Sequence, residues 1–238
     1  MTFMRKHVIF LPCCKSKSAT GYIEKSDNSL SKKKLPQTWE KLQSGRAGMT
    51  DCIDKTTLMT SAIFLYKGSP YNVFQSELSN IIHEIRSGEM RLYIISAGYG
   101  IVDALEPIHN YDAKLQSKVA KNWKNYGLHE IISEILLREQ SLNLFGFFAG
   151  TTNWNSPGSK YRYFFTQGVT HAMKLGLKPE TAGCFYRVDG RGSKAILGAL
   201  GRTFTEGLKN KFLSSYVENI ETNYRHDRNV VIGFERIQ

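Results

Sequence analysis

The sequence has few cysteines and little of the spacing that disulfides or metals require. Four cysteines occur in 238 residues, none in a CxxC pair: Cys13, Cys14, Cys52 and Cys184. This excludes a disulfide scaffold and favours a reducing compartment. The six histidines form no HxH or HxxxH pair, so no metal site is predicted. No cofactor is predicted either, because no GxGxxG motif follows a strand pattern.

Long apolar runs are also absent. No run reaches the roughly 18 residues that a membrane helix needs. The apolar stretch near the start ends at Pro12, which is too short for a signal peptide, and no small-residue cleavage site follows it. We therefore expect a cytoplasmic protein with no membrane partner.

Acidic residues are scarce relative to basic ones, with 21 Asp and Glu against 32 Lys and Arg, a net charge of +11. Such a surplus favours a polyanionic partner, although a basic surface that only aids solubility explains it equally well. Ten Lys and Arg occur in residues 1–50 and six in residues 187–211. The segment 101–113 has three acids and no basic residue. Two basic regions and one acidic segment are typical of an enzyme that acts on nucleic acid.

The hydrophobic pattern predicts an α/β fold with a central, mostly parallel sheet and helices on both faces. Three short apolar runs predict buried strands over His7–Pro12, Arg91–Ser96 and Leu144–Ala149, and Asn229–Phe234 predicts an edge strand. Helices are predicted over Thr57–Tyr66, Asn72–Arg86 (with Gly88 as the stop signal), His129–Arg138, Tyr161–Leu175 and Lys194–Leu200. Two loops are predicted, over Lys15–Pro36 and Thr151–Lys160. We expect a single domain over residues 1–238, with a basic helical portion from about residue 186 packed on it, and a monomer.

Ligands of open α/β sheets bind beyond the carboxyl ends of the strands, which singles out the residues after each predicted strand. The first strand is followed by Cys13, Cys14, Lys15, Ser16 and Lys17. Hydroxyls and lysines there suit a phosphate or the polar edge of a base, and the alternative is a basic surface loop. The two thiols are better explained as small packing residues than as nucleophiles.

After the second strand, Ser96, Gly98 and Tyr99 allow close approach of a ligand and stacking on a planar group, or else form a tight turn. The chain continues to the stretch from His109 to Asp112, where an imidazole, an amide, a phenol and a carboxylate are consecutive. This stretch is the best catalytic candidate. The alternative is a polar loop in which Asp112 caps a helix.

Two further segments are candidates for ligand binding. Gly150–Trp154 follows the third strand, and Trp154 either stacks on a ligand or belongs to the core. Near the C-terminus, Ser193 is the predicted N-cap of a helix, flanked by Arg187, Arg191 and Lys194. A helix start among cations favours phosphate binding over an ordinary capped helix. The order Gly192-Ser193-Lys194 does not match a P-loop.

Several short motifs together resemble a bacterial and phage family related to the peroxide-stress DNA-binding proteins and to the uracil-DNA glycosylase superfamily. The similar segments are Cys13-Cys14-Lys15-Ser16-Lys17, Leu65–Tyr71, Arg91–Val102, Ile108–Asp112, Phe148–Gly150 and Tyr161-Arg162. They cover residues 7 to 175. His109-Asn110 stands where the family usually has Glu-Pro, and Thr151–Lys160 is a long insertion. Because of these two differences from the family pattern, the motifs do not identify the substrate.

The resemblance implies a three-layer sandwich like that of uracil-DNA glycosylase. It also implies a phage-defence DNA glycosylase that removes glucosylated hydroxymethylcytosine from double-stranded DNA and leaves an abasic site. Asp112 is then expected to stabilise the cationic sugar, with Asn110 orienting water or the leaving base and Asp103 as the fallback carboxylate.

The base would leave the helix for a pocket formed by Cys13, Cys14, Ser16, Ser96, Gly98, Tyr99, Tyr111 and Trp154. Backbone phosphates would meet Lys15, Lys17, Arg187, Arg191, Ser193, Lys194 and Arg202. Two alternatives remain open. One is a DNA-binding or nucleoid protein without enzymatic activity, and the other is a transglycosylase that exchanges a base.

Overall fold

The computed structural model describes residues 6–25, 27, 29–150, 154 and 160–238, and a seven-stranded mixed sheet organises them. In chain order the strands are β1 (His7–Pro12), β2 (Ile53–Asp54), β3 (Thr60–Ser61), β4 (Met90–Ser96), β5 (Gly100–Asp103), β6 (Pro107–Ile108), β7 (Asn110–Tyr111), β8 (Asn143–Phe147), β9 (Thr181–Asp189), β10 (Arg225–Asp227) and β11 (Val230–Arg236). The helices are α1 (Trp39–Ala47), α2 (Ala62–Leu65), α3 (Leu78–Ser87), α4 (Ser117–Asn125), α5 (Leu128–Glu139), α6 (Lys160–Lys174), α7 (Ser193–Lys209) and α8 (Ser214–Asn223).

The main sheet has the spatial order β10-β11-β9-β8-β1-β4-β5. Strands β4, β1, β8 and β9 are parallel to one another and form its centre. At one edge β5 pairs antiparallel with β4. On the other side β11 pairs antiparallel with β9, and β10 pairs antiparallel with β11 to form the second edge. The predicted α/β class is therefore confirmed, and the sheet is mixed, with the parallel strands confined to its centre.

Two consecutive residues, the last of β8 and the one after it, show that helices cover both faces of the sheet. Phe147 contacts Phe204 of α7, with 5.6 Å between ring centroids. Phe148, one residue on, points to the opposite face and contacts Phe165 of α6, also at 5.6 Å. This alternation is the period-two geometry of a strand. Phe165 also packs on Phe10 of β1, so α6 lies over the centre of the parallel strands.

Most of the predicted elements are present. β1 has the predicted bounds, and β4, β8, α5 and α6 lie close to theirs. Gly88 ends α3 in the left-handed conformation (φ 84°), as a helix stop signal requires. The described part of Lys15–Pro36 has no helix or strand apart from a bridge between Lys17 and Tyr66. The predicted loop Thr151–Lys160 lies outside the described residues except for Trp154 and Lys160.

The predicted helix over Thr57–Tyr66 is wrong in its first half. Thr60 and Ser61 instead pair with β6 as strand β3, and only the single turn of α2 follows. The helix predicted over Asn72–Arg86 begins only at Leu78. Phe74 lies before this helix rather than in it, and its ring packs edge-on against Phe204 of α7.

The C-terminal region is less helical than predicted. Residues 186–238 contain α7 and α8, but they also supply β10, β11 and the end of β9 to the main sheet. Strand β11 lies inside the sheet between β10 and β9, so the predicted edge position of Asn229–Phe234 is wrong. Helix α7 extends to Lys209 rather than ending at Leu200. No helix in the described part of the chain is both long and apolar enough to cross a lipid bilayer.

Candidate functional site

The order of the parallel strands creates a switch point beside β1. The chain passes from β1 to β4 on one side and later to β8 on the other, so the crossovers diverge there. Ligands of open α/β sheets bind at the carboxyl ends of strands at such a point. Here Cys13 follows β1, Ser96 ends β4 and Phe148 follows β8. The side chains around these strand ends form the candidate site.

A buried cluster of hydroxyls and thiols occupies the site. The Tyr111 hydroxyl lies 2.9 Å from that of Tyr66 and accepts a hydrogen bond from Ser96 Oγ at 3.0 Å. Cys13 Sγ lies 3.2 Å from the Tyr161 hydroxyl. Burial raises the pKa of Tyr66, Tyr111 and Tyr161 well above the usual value near 10, so these phenols stay protonated and can donate hydrogen bonds.

Two of the predicted pocket residues support this cluster from inside the protein. A Cβ on Gly98 would lie 2.7 Å from the Tyr111 ring, so glycine is needed for the ring to pack there. Tyr99 is only 9% exposed, and its hydroxyl accepts a hydrogen bond from the His109 backbone N–H at 3.1 Å. Its ring packs edge-on against Tyr111 rather than facing open space.

Lys17 lies at the outer edge of the cluster, over the ring of Tyr111, the residue before Asp112. Lys17 Nζ is 4.0 Å from the centroid of the Tyr111 ring. Burial lowers the pKa of Lys17, and the nearby Cys13, Cys14 and Asp112 oppose that shift. Asp112 is exposed, and its backbone N–H donates to the Cys52 carbonyl at 2.9 Å. Tyr111, the residue before Asp112, therefore contacts the turn after β1 through Lys17.

Two small sheets hold the polar stretch before Asp112 in place. Strand β7 pairs with β2, and β6 pairs with β3. His109 Nδ1 lies 2.8 Å from the Thr57 carbonyl oxygen, and Asn110 N–H donates to Thr57 Oγ1 at 3.0 Å. Asn110 Oδ1 accepts from the Tyr111 N–H at 2.8 Å. Asn110 and Asp112 are thus presented on an anchored ribbon beside the sheet.

A groove with a lysine-rich lining adjoins the other side of the turn after β1. It consists of two neighbouring cavities, of about 420 and 540 Å³, which share Ser69, Asn72 and Lys194. We call it the basic groove. Its cationic lining comes from Lys15, Lys67, Lys194, Arg202 and Arg228.

Several predicted binding residues meet in the basic groove. Cys14, Lys15, Ser16, Ser193, Lys194 and Arg202 line it. Ser193 is not the N-cap that the sequence predicts. Gly192 occupies that position, without a side-chain cap, and Ser193 is the first helical residue. The Arg202 charge is partly neutralised, because its Nε donates to Asp227 Oδ2 at 2.6 Å.

Cys14 is fixed by the loop that lines the groove. Its thiol donates to the Ser16 carbonyl at 3.1 Å and accepts a hydrogen bond from the Gly68 N–H at 3.3 Å. Burial raises the pKa of this thiol to about 11, which keeps it protonated at neutral pH. Cys14 therefore suits a packing role better than a nucleophilic one.

Asp103 does not join the cluster around Asp112. In the antiparallel β4–β5 ladder Asp103 is opposite Tyr93, three residues before the carboxyl end of β4 at Ser96. It is 1% exposed, and Oδ2 lies 3.6 Å from Arg91 Nη1. Burial raises the pKa of Asp103 to about 7. The structure therefore gives the fallback carboxylate a place in a buried ion pair.

Three other predicted residues lie outside the basic groove. Arg187 is half-buried in β9 and donates to the Gly190 carbonyl at 3.3 Å, while Arg191 is exposed in the next turn. Trp154 packs edge-on against Tyr163 of α6, with 4.6 Å between ring centroids. Its ring is also contacted by Lys124 and Lys160.

Several residues of the site carry no predicted role, among them Tyr66, Tyr161, Lys67 and Arg228. Tyr66 and Tyr161 belong to the segments that resemble the glycosylase-related family, so their presence in those motifs was the available signal. Lys67 and Arg228 are in loops, and a single lysine or arginine in a loop does not indicate a groove. Among the described residues no group of three or more His, Cys, Asp or Glu side chains is placed to hold a metal ion.

Comparisons of the chain with protein-family models, with curated proteins and with solved structures give no match in any of the three.

Proposed function

We propose that this protein is a DNA glycosylase, which hydrolyses the N-glycosidic bond of a modified base and leaves an abasic site. One observation carries the proposal: Lys17 of the turn after β1 lies over the ring of Tyr111, the residue before the exposed carboxylate Asp112, and the basic groove adjoins the same turn. The reaction needs both features, since cations hold the phosphates and an anion stabilises the sugar as it becomes cationic.

Each part of the site has a role in the proposed reaction. Breaking the bond between base and deoxyribose develops positive charge on the sugar, which the Asp112 carboxylate stabilises while it activates water. Asn110, on the same anchored ribbon, orients that water or the leaving base. The base reaches the site by flipping out of the duplex. Cys13, Ser96 and Tyr111 then form the polar wall that receives it.

The basic groove binds the phosphates that flank the flipped nucleotide. Lys15, Lys67 and Lys194 approach it from three different segments of the chain, so the groove can follow a bent backbone. Because a helix start exposes free backbone N–H groups, the first turn of α7 adds to the attraction for phosphate. Arg191 and Arg187 extend this positive surface beyond the groove.

The finer fold assignment and the substrate rest on the resemblance. We propose that the sheet with helices on both faces is a three-layer sandwich of the uracil-DNA glycosylase kind, built as one domain. We also propose glucosylated hydroxymethylcytosine in phage DNA as the target and the cytoplasm as the site of action. Hydroxyl and amide groups at Ser16, Ser69 and Asn72 line the groove next to the site, and such groups suit a sugar substituent.

The test is incubation with duplex DNA that contains cytosine, hydroxymethylcytosine or glucosylated hydroxymethylcytosine, followed by mild alkali. Strand breaks at modified positions that depend on Asp112 are expected. A salt-sensitive gel shift without breaks would support a binding protein instead. Incorporation of labelled free base without breaks would support base exchange.

A further inference from the structure

Lys17 is paired through its backbone with a neighbouring segment of the chain. It forms an isolated antiparallel bridge with Tyr66. On either side of it, Ser18 N–H donates to the Leu65 carbonyl at 2.8 Å, and Lys67 N–H donates to the Ser16 carbonyl at 2.9 Å. The backbone at Lys17 is therefore fixed against the 65–67 segment, unlike a mobile surface lysine.

The Lys17 amine is enclosed by groups that suit a nucleophile. Nζ lies over the Tyr111 ring at 4.0 Å, and Asp112, Cys13 and Cys14 are near enough to act on its charge. Loss of hydration lowers the pKa of Lys17, and this effect outweighs the opposing effect of those neighbours. A larger fraction of neutral amine results, and the neutral amine is the reactive form.

We propose that Lys17 is an amine nucleophile for C1′ of an abasic deoxyribose, and that the protein cleaves the DNA strand 3′ to the abasic site. The inference deepens the proposed function, because the glycosylase reaction produces this sugar in the same site. The geometry favours it over simple phosphate binding, because phosphate binding needs the charged ammonium, which the partial burial of Lys17 disfavours, whereas Lys15 is exposed.

The chemistry balances with water as the only other reactant. Lys17 Nζ adds to the C1′ aldehyde of the ring-opened sugar, and loss of water leaves a protonated imine. Asp112 takes a proton from C2′, and the electron pair of that C–H bond expels the 3′ phosphate as the C3′–O bond breaks. Water then hydrolyses the imine, which frees the amine and leaves an unsaturated aldehyde on the DNA end. Asp112 returns its proton to solvent.

Borohydride trapping tests this step directly. A duplex with one pre-formed abasic site is incubated with the full-length protein and sodium borohydride, which reduces the imine to a stable secondary amine. We expect a covalent protein–DNA adduct whose peptide map places the DNA on Lys17. Lys17→Arg keeps the charge but cannot form the imine, so its adduct is expected to be lost. Lys55→Arg, at an exposed lysine of the nearby 54–57 loop, is the matched control and should trap like the wild type.

Each other outcome is decisive. No adduct in the wild type, an adduct on a different lysine, or undiminished trapping by Lys17→Arg would overturn the proposal. If Lys17→Arg and Lys17→Gln both fail to fold, the peptide map of the wild-type adduct still decides the question. Base release is measured separately on modified DNA. Release without trapping removes only the role of Lys17, whereas trapping without release removes only the glycosylase function.

Discussion

The ammonium of Lys17 lies 4.0 Å from the centroid of the Tyr111 ring, and the hydroxyl of that same ring is bonded to Tyr66 and Ser96. One side chain thus connects the cation at the surface to the buried polar cluster. A cation over an aromatic face contributes about 0.5–1 kcal/mol when exposed and about 2 kcal/mol when desolvated. The Tyr111 ring therefore helps to position the Lys17 amine, which also donates a hydrogen bond to the Lys15 carbonyl at 3.4 Å.

Gly98→Ala tests the dependence of the site on that ring. The added Cβ would lie 2.7 Å from the Tyr111 ring, so the ring must shift. We expect a loss of about 1–3 kcal/mol of unfolding free energy in urea, and weaker base release. Gly48→Ala is the matched control, because Gly48 lies at the end of α1 with φ −66° and its Cβ would approach nothing closer than 3.4 Å, at the Tyr126 hydroxyl. This control should be neutral or slightly stabilising, and equal losses in both variants would contradict the prediction.

If the basic groove binds DNA phosphates, removing one of its lysines should weaken the salt dependence of DNA binding. Lys67→Gln and Lys194→Gln each remove one cation from the groove lining. If each lysine neutralises one phosphate, the slope of log K against log salt should become less steep by about 0.9 per variant. Binding is measured by fluorescence anisotropy from low to high salt. Lys178→Gln is the control, since Lys178 is exposed just before β9, at the amino ends of the parallel strands. An unchanged slope in both groove variants would remove the groove from DNA binding.

The raised pKa of Asp103 makes the free energy of unfolding depend on pH. Its folded pKa is about 7, above the usual value of 3.8, because burial penalises the charged form more than Arg91 stabilises it. The folded state thus holds the proton more tightly than the unfolded state, and stability falls as pH rises from about 4 to about 7. Each pKa unit corresponds to about 1.4 kcal/mol. Urea unfolding of the wild type and Asp103→Asn at several pH values measures this.

Asp103→Asn keeps an oxygen to accept the Leu105 N–H bond but has no proton to lose. Relative to this variant, the wild type should lose a few kcal/mol between pH 4 and 8. Parallel stability curves for the two proteins would mean that Asp103 titrates normally.

Strands in the centre of the sheet could be predicted because they are short, mostly apolar runs. In β1 and β4 the polar residues lie near the strand ends, at His7, Arg91 and Ser96, and the residues between them are apolar. Strand β9 was missed because it begins with small residues. Gly183 stands where a Cβ would lie 2.4 Å from the Phe234 ring and 2.5 Å from the Glu235 carbonyl oxygen, contacts that only the folded β11 provides.

The site residues that could be predicted from the sequence are mainly those that follow the ends of the strands. Cys13 and Ser96 come close because the parallel strands β1 and β4 end at one edge of the sheet. Tyr111 reaches Ser96 from the small strand β7. Asp103 was misplaced because the β4–β5 hairpin turns the chain back along the sheet, and that register is set by pairing with β4. Lys67 is held beside the turn after β1 by the hydrogen bond from its backbone N–H to the Ser16 carbonyl. Because this contact joins residues far apart in the chain, no local sequence pattern indicates it.

The most direct measurement compares wild type and Asp112→Asn on duplex DNA that carries one glucosylated hydroxymethylcytosine. Released base is quantified by mass spectrometry, and binding of the same DNA by anisotropy. We expect the wild type to release the base and Asp112→Asn to bind with similar affinity while releasing it about 100-fold more slowly or worse, since a positioned carboxylate acting in acid–base catalysis contributes that much or more. Equal release by the two proteins, or none by the wild type on any modified duplex, would contradict the assignment of glycosidic bond hydrolysis to this site.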